Sequence, residues 1–169
     1  ILIKCWANKK KYWFKLFSFF DYSFNMPAYF INPLSEEHID LLKRLDEQNQ
    51  DLRVFVSDKN SQDFIDKIPG KKAIGDITDD SHISTASEGA YCGIFFVERN
   101  KKLSDVFINA IQNSNLQRIL WVSKEEPRNN ILEIDNLTYI KHSGENDYFD
   151  TVLSLEEVEE VNEKFVDLK

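Results

Sequence analysis

The sequence predicts an α/β fold in which helices cover both faces of a mostly parallel β-sheet, as a three-layer sandwich. Residues 91–96 are apolar without alternation, which is typical of a strand buried on both faces, as in a parallel sheet. Apolar runs of this kind alternate along the chain with segments of helical periodicity. This order favours right-handed crossovers between parallel strands.

The first half of the chain predicts three strands and two helices. Asn32-Pro33 ends the first apolar run, and Ser35 then caps a helix whose first turn holds Glu36 and Glu37, where carboxylates favour the helix dipole. Pro69-Gly70 stops the second helix. The predicted elements are strand 28–31, a helix from residue 35 to about residue 45, strand 52–56, helix 62–68 and strand 73–74.

The second half predicts three more strands, with 131–134 as either a short strand or a turn of helix. Ser104 is expected to open a helix after a charged loop, and Ser154 with Glu157 forms a capping box before an amphipathic C-terminal helix. The remaining elements are a short helix between residues 79 and 89 and strands 91–96, 117–123 and 137–140.

The 169 residues predict one domain over residues 26–169, preceded by an extension, residues 1–25. The extension is basic and aromatic, and the only methionine, Met26, follows it directly. One interpretation is that Met26 is the true start and the extension is translated upstream sequence. The other is an interfacial anchor, because aromatic side chains beside lysines suit an anionic membrane surface.

Composition excludes several functions. The formal net charge of −8 argues against nucleic acid, since phosphate binding needs a basic face. No run of about 18 apolar residues is present, so a membrane span is not expected. Cys5 and Cys92 form neither a zinc site nor a disulfide framework, which fits a reducing cytoplasm. The three histidines, His38, His82 and His142, lack metal-ligand spacing, so no metal is expected.

Three segments carry a resemblance to a known family. They are Gly75-Asp76-Ile77-Thr78-Asp79, then Glu88-Gly89-Ala90-Tyr91, and the strand sequence LQRILWVS at 116–123. Together, over about residues 27–140, they resemble the NAD(P)-binding domains of atypical short-chain dehydrogenases/reductases, especially the NmrA-like branch. The resemblance implies a Rossmann-like fold and, if a cofactor is bound, NAD.

Two signatures of that family are missing. Its phosphate-binding turn carries G-x-x-G-x-x-G, whereas this chain has Asn32-Pro33-Leu34-Ser35-Glu36-Glu37 there. Proline lacks an N–H donor, and two carboxylates would repel a diphosphate. The family's Tyr-x-x-x-Lys pair, which supplies the acid/base, is also absent. No catalytic residue is therefore assigned.

Ligands of parallel sheets bind outside the carboxyl ends of the strands, so the candidate site residues are those at the strand ends. By the resemblance, Asp58 would accept hydrogen bonds from adenosine ribose hydroxyls and favour NAD over NADP, and Ser123 takes the place of the family's catalytic serine. The alternatives are a solvated loop acid and an ordinary polar strand end. The candidates for cofactor binding are Asn32, Ser57, Asp58, Asp76, Ile77 and Ser123.

Three functions remain open on the sequence. The leading one is a non-catalytic binding or regulatory module, in which a Rossmann-like domain holds a nucleotide or dinucleotide, with a homodimer as one expected assembly. The alternative is an NAD(P)-dependent oxidoreductase or nucleotide-sugar epimerase-like enzyme that takes its acid/base from Asp76, Ser123 or a second subunit. The third is an interaction protein without a ligand.

Overall fold

The computed structural model describes residues 26–48, 51–98, 100–144 and 147–169. The predictions for residues 1–25, including Cys5, lie outside these ranges. The described strands are β1 (Ala28–Ile31), β2 (Arg53–Ser57), β3 (Lys71–Gly75), β4 (Cys92–Phe96), β5 (Arg118–Ser123), β6 (Leu137–Lys141) and β7 (Phe165–Asp167). The described helices are α1 (Glu36–Gln48), α2 (Gln62–Lys67), α3 (Asp80–Ala86), α4 (Lys101–Gln112), α5 (Asn129–Leu132) and α6 (Phe149–Leu155).

In the described ranges the strands form one seven-stranded sheet in the order β3-β2-β1-β4-β5-β6-β7. Every neighbouring pair is parallel. At the centre, Phe30 of β1 is in register with Val54 of β2 on one side and Ile94 of β4 on the other. Strands β1 to β3 therefore progress toward one side of the sheet and β4 to β7 toward the other, so the topological switch point lies between β1 and β4. In such sheets the crevice for a ligand lies outside the carboxyl ends of the strands at this point.

Alternate residues of each strand enter different hydrophobic cores, which produces the three layers. Phe30 faces the core formed with α1, α2 and α6, and Tyr29 faces the core formed with α3, α4 and α5. The central strands β1 and β4 are buried at every position. Their continuous apolar character, visible in the sequence, follows from this burial on both faces. The predicted three-layer α/β sandwich is confirmed.

The apolar stripe of α1 holds this helix against the sheet. Its inward positions are buried, as the periodicity predicts: His38, Leu41, Leu42 and Leu45, together with Ile39. Polar contacts then join α1 to α6. The Gln48 side chain donates to the Leu153 carbonyl at 3.1 Å, and the Arg44 guanidinium lies 5.2 Å from the centre of the Phe149 ring. None of the described helices has the length and apolarity needed to cross a membrane.

Helix α4 begins earlier than predicted. Asn100 caps it by accepting a hydrogen bond from the Leu103 N–H at 3.1 Å, so the helix includes Lys101 and Lys102, which the sequence assigned to a loop. An asparagine at this position satisfies one of the free N–H groups of the first turn. The sequence pattern of residues 131–134 fits either a strand or a turn of helix. In the structure, Ile131 and Leu132 belong to the single helical turn α5.

The predicted C-terminal helix is wrong. Helix α6 ends at Leu155, where that helix was expected to begin, and residues 165–167 form strand β7 instead. The Tyr139 N–H donates to the Lys164 carbonyl at 2.9 Å, and the Leu168 N–H donates to the Lys141 carbonyl at 2.8 Å. The backbone groups at the free edge of β6 are thus hydrogen-bonded to β7. If the segment were a helix, these groups would be exposed to water.

Candidate functional site at the carboxyl edge of the sheet

All six candidate residues lie at the carboxyl edge of the sheet, but in two groups. Five of them end or follow the adjacent strands β1, β2 and β3: Asn32, Ser57, Asp58, Asp76 and Ile77. Ser123 ends β5, and β4 lies between that strand and β1. At about 4.8 Å per strand spacing, the two groups are separated by roughly 10 Å. A dinucleotide that touched both would have to pass over the turn that follows β1.

Asn32 begins this turn with a backbone conformation that usually requires glycine. Its φ is 67°, in the left-handed region, and its N–H donates to the Phe55 carbonyl at 3.1 Å. Asparagine tolerates this region better than other non-glycine residues. The turn therefore begins with a left-handed residue, as a glycine would allow, but this residue carries a buried side chain.

Two backbone donors of the turn have partners within the protein. The Leu34 N–H donates to Nδ1 of His38 at 3.0 Å, and the His38 N–H donates to the Ser35 hydroxyl at 3.4 Å. Pro33 has no N–H to offer. A phosphate at a helix N-terminus is normally held by such backbone groups. In the turn after β1, the N–H groups of Leu34 and His38 are therefore not available to a ligand.

His38 also fills the space that a glycine would leave open. If Asn32 stands for the first glycine of G-x-x-G-x-x-G, the second falls on Ser35 and the third on His38, where glycine allows close packing of helix and strand. The His38 ring instead lies 4.2 Å from the Phe96 ring and 5.9 Å from the Phe30 ring, measured between centroids. An aromatic contact between α1 and the sheet replaces the glycine contact.

Burial lowers the pKa of His38 to about 4, so its imidazole is neutral near pH 7. It brings no positive charge for a phosphate. The neighbouring carboxylates are both engaged. Glu36 pairs with Lys67 at 2.5 Å, and Glu37 is hydrogen-bonded to the Tyr148 hydroxyl. Burial first, and this carboxylate second, raise the pKa of Tyr148 above its ordinary range. The first turn of α1 is acidic where a diphosphate would lie.

The corner formed by β2 and β3 is more open. Asp58 follows β2, and its N–H donates to the Gly75 carbonyl at 3.0 Å. Its carboxylate is exposed and makes no hydrogen bond or ion pair with the described residues. Asp76 accepts from the Thr78 N–H at 2.8 Å and from its hydroxyl at 2.7 Å. These two hydrogen bonds lower the pKa of Asp76. Ile77 packs against the α3–α5 side of the core.

Asn60 belongs to the same corner and was missed by the sequence reasoning. Its N–H donates to the Ser57 carbonyl at 3.1 Å, while its side-chain nitrogen is shielded from solvent and finds no acceptor among the described residues. Buried donors of this kind usually have a partner. The signal was an asparagine two residues after Asp58, in the turn that follows a predicted strand.

Ser123 opens into a separate cavity of about 330 Å³, which we call the β5–β6 cavity. The Ser123 hydroxyl accepts from the Glu125 N–H at 3.1 Å, and the Tyr139 hydroxyl donates to the Glu125 carbonyl at 2.9 Å. Burial raises the pKa of Tyr139. The residues that line this cavity are Val97, Asn100, Lys101, Ser104, Trp121, Ser123, Glu125, Glu126, Arg128, Ile131 and Tyr139.

The histidines do not assemble a metal centre with other residues of the described ranges, where no three potential ligands come together. His82 lies 3.7 Å from an Asp79 oxygen near the start of α3. His142 is buried, with its ring 4.3 Å from the Tyr148 ring and its Nδ1 atom 3.1 Å from the Gly144 carbonyl. Each histidine thus has its own local contacts.

Comparison with solved structures supports the fold. The chain is similar to a protein from Methylobacillus flagellatus classed as an NAD-dependent epimerase/dehydratase, with 10% identity, a TM-score of 0.61, and 85% of this chain and 75% of that chain covered. A short-chain dehydrogenase/reductase from Veillonella parvula matches with 12% identity, a TM-score of 0.55 and 70% and 69% coverage. A Rossmann-fold NAD(P)-binding family protein from Shigella flexneri matches with 13% identity, a TM-score of 0.53 and 70% and 68% coverage.

No protein-family signature and no curated protein sequence matches the chain. At these identities, the similar structures show a shared fold, and it is the Rossmann-like fold that the resemblance implied. The site itself departs from the family's pattern. The turn that should seat the diphosphate is closed by His38 and lined by carboxylates, so the residues present do not fit a dinucleotide bound in the usual way.

Proposed function

We propose that this protein is a non-catalytic binding or regulatory module that holds an adenosine nucleotide at the β2–β3 corner. The observation that carries the proposal is the turn after β1, where Leu34 donates to His38 instead of to a ligand. Such a turn disfavours binding of a diphosphate, and without a bound diphosphate a dinucleotide cannot place its nicotinamide ring near Ser123. The adenosine end of a nucleotide can bind at the β2–β3 corner without a diphosphate in the turn and without a nicotinamide ring near Ser123.

Two side chains support a ligand at this corner. The Asp58 carboxylate is exposed and free to accept from the two ribose hydroxyls. The orphaned Asn60 side-chain nitrogen is a donor that lacks an acceptor within the described residues. A ligand with adjacent hydroxyls and a heterocyclic acceptor would satisfy both. A 2′-phosphate would be disfavoured because it would face Asp58.

The test compares AMP, NAD and NADP by thermal shift and isothermal titration. A ligand at 100 times its dissociation constant stabilises the native state by about 2.7 kcal/mol. We expect AMP to bind about as tightly as NAD, because the nicotinamide half gains no contact. We expect NADP to bind several-fold more weakly, since a repulsion of about 1 kcal/mol at 4 Å in water is close to fivefold.

The variant Asp58→Asn should weaken AMP binding and reduce the discrimination against NADP. Asp135→Asn is the matched control, because this exposed aspartate lies just before β6, at the opposite edge of the sheet. Absence of stabilisation by any of the three nucleotides would refute the proposal. Hydride turnover with a panel of carbonyl compounds would favour the oxidoreductase alternative instead.

A cytoplasmic location and a homodimer stay predictions from the sequence. The apolar face of the predicted C-terminal helix was one surface on which a second subunit could have packed, but an irregular segment and strand β7 replace that helix. Sedimentation or size-exclusion measurements with the full chain would determine the oligomeric state.

A further inference from the structure

We propose that the β5–β6 cavity binds a small carboxylic acid with an apolar body. This site goes beyond the proposed function, because it lies across β4 from the turn after β1 and shares no residue with the β2–β3 corner. Three features of the cavity lead to this ligand: its apolar floor, a lining arginine with one guanidinium nitrogen that has no acceptor among the described residues, and the charges at its rim.

The floor of the cavity suits an apolar body. Trp121 and Tyr139, on adjacent strands, are each 1% exposed, and Ile131 of α5 is 3% exposed. A volume of about 330 Å³ corresponds to roughly ten water-sized groups, and ligand sites of this kind are mostly apolar with a few polar groups that fix orientation. A ring or short chain of about ten non-hydrogen atoms would fill this space.

Arg128 supplies the recognition element for an acid. Its Nη1 atom donates to Asp105 at 2.9 Å. Its Nη2 atom is shielded from solvent and has no acceptor among the described residues. Buried donors normally have a partner, and a carboxylate oxygen is a strong one for a guanidinium group. Because Arg128 lines the cavity, a carboxylate bound there is within reach of its guanidinium group.

Lys101 adds a second positive charge at the rim. It is the first residue of α4, it is exposed, and it makes no ion pair within the described ranges. The partial positive charge of the helix N-terminus acts in the same direction. Together with Arg128, it favours an anion at the end of the cavity that α4 and α5 border.

The acidic residues at the rim, Glu125 and Glu126, and Asp105 beside Arg128 limit the charge of the anion. Glu126 is paired with Lys141, and Asp105 with Arg128. Glu125 is held in place through its backbone by Ser123 and Tyr139. A doubly charged phosphate would meet more repulsion from these carboxylates than a singly charged head group. This difference favours a carboxylate over a phosphate monoester.

The experiment measures binding of benzoate and 3-phenylpropionate to the full chain by ligand-observed NMR and isothermal titration. Benzamide serves as the uncharged isostere, and phenyl phosphate as the doubly charged one. For a ligand of about ten atoms, a dissociation constant on the order of 1 mM is expected. Benzamide and phenyl phosphate should each bind at least several-fold more weakly than benzoate.

Variants then test the rim. Arg128→Gln should weaken benzoate binding about tenfold, the usual value of a charge-assisted hydrogen bond, and Lys101→Gln should weaken it less. Lys102→Gln is the matched control for Lys101, because the adjacent lysine is exposed and does not line the cavity. Arg128→Gln also removes the ion pair with Asp105 and could destabilise the protein, whereas Lys101→Gln tests the rim without breaking that pair. The melting temperature of each variant shows whether it is folded.

Several results would overturn the proposal. They are equal binding of benzamide and benzoate, tighter binding of phenyl phosphate, unchanged benzoate binding in both Arg128→Gln and Lys101→Gln, and no saturable binding of either acid. Asp58→Asn and saturating AMP should leave benzoate binding unchanged. The carboxylate site and the adenosine site can therefore fail independently.

Discussion

Replacement of His38 by asparagine should make the protein less sensitive to acid. Burial lowers the pKa of this histidine to about 4, whereas a histidine in the unfolded chain titrates near 6.5. Between these values the unfolded state binds a proton that the native state does not bind. His38 therefore destabilises the native state progressively as the pH falls from about 6.5 to about 4.

The magnitude follows from the two pKa values. Between pH 7.5 and pH 4.5, the histidine contributes a loss of about 2.5 kcal/mol in the free energy of unfolding. The charged neighbours that affect His38 are Glu37, which raises its pKa, and His142 and Lys124, which lower it; burial has the largest effect. These three neighbours are present in the wild type and in the variant alike, so the difference between the two proteins reports on His38.

Asparagine is the informative substitution because its side-chain oxygen can accept from the Leu34 N–H in place of Nδ1. Urea unfolding at both pH values would measure the effect, with His82→Asn as a control for the removal of an exposed histidine. We expect His38→Asn to lose about 2.5 kcal/mol less than the wild type on acidification. Equal losses in the two proteins would refute the assignment of a neutral, buried His38.

Two further predictions concern packing and the C-terminal strand. Gly93→Ala should lower the free energy of unfolding by about 1–3 kcal/mol, because its new methyl group would lie 2.6 Å from a Leu116 methyl carbon and 2.8 Å from the Phe95 ring. Gly144→Ala is the control, because the nearest atom to its new methyl group is 3.4 Å away. Urea unfolding measures the effect, and equal free energies of unfolding for Gly93→Ala and the wild type would contradict the close packing at Gly93. Leu168→Pro should cost about 1 kcal/mol by removing its hydrogen bond to Lys141, whereas Val161→Pro, in an irregular segment, should change the melting temperature little. A large decrease in melting temperature with Val161→Pro would instead favour the C-terminal helix predicted from the sequence.

The parallel sheet could be predicted because burial on both faces leaves a direct trace in the sequence. Residues 92–96 of β4 and 118–123 of β5 are buried throughout, so nearly every position is apolar and no alternation appears. The helix α1 left the other trace, a periodic apolar stripe after a cap. These two signals depend on local sequence alone, and the structure preserves both.

The C-terminal segment could not be predicted in the same way, because its pattern fits more than one structure. Apolar residues at 155, 158, 161, 165 and 168 match a helical stripe, but the partner that decides the outcome is the distant edge of β6. The Lys164 ammonium also donates to the carbonyls of Ile134 at 2.5 Å and Asp135 at 2.7 Å. Such long-range contacts override a local pattern and leave no signal in the segment itself.

In the candidate site, too, the sequence predicts the positions of the residues but not the contacts that their side chains make. Parallel strands all end at one edge, so the topology alone placed Asn32, Asp58, Asp76 and Ser123 together on that edge. What each side chain does there depends on its neighbours. Asp76 is engaged by Thr78, whereas Asp58 is open. The sequence pattern could identify the positions but could not separate an engaged carboxylate from a free one.

The closure of the turn after β1 is a property of several residues together, and glycine at one position would not reverse it. His38→Gly would free the Leu34 N–H, but it would also remove the ring that packs against Phe96 and Phe30 and leave a cavity in the core. Glu36 would still lie beside the turn, and Pro33 would still lack an N–H. The side chain that blocks the phosphate position also anchors α1 to the sheet. The packing of His38 that holds α1 on the sheet therefore also occupies the ordinary diphosphate seat. For this reason we propose the β2–β3 corner and the β5–β6 cavity, rather than the turn, as the places to test for ligands.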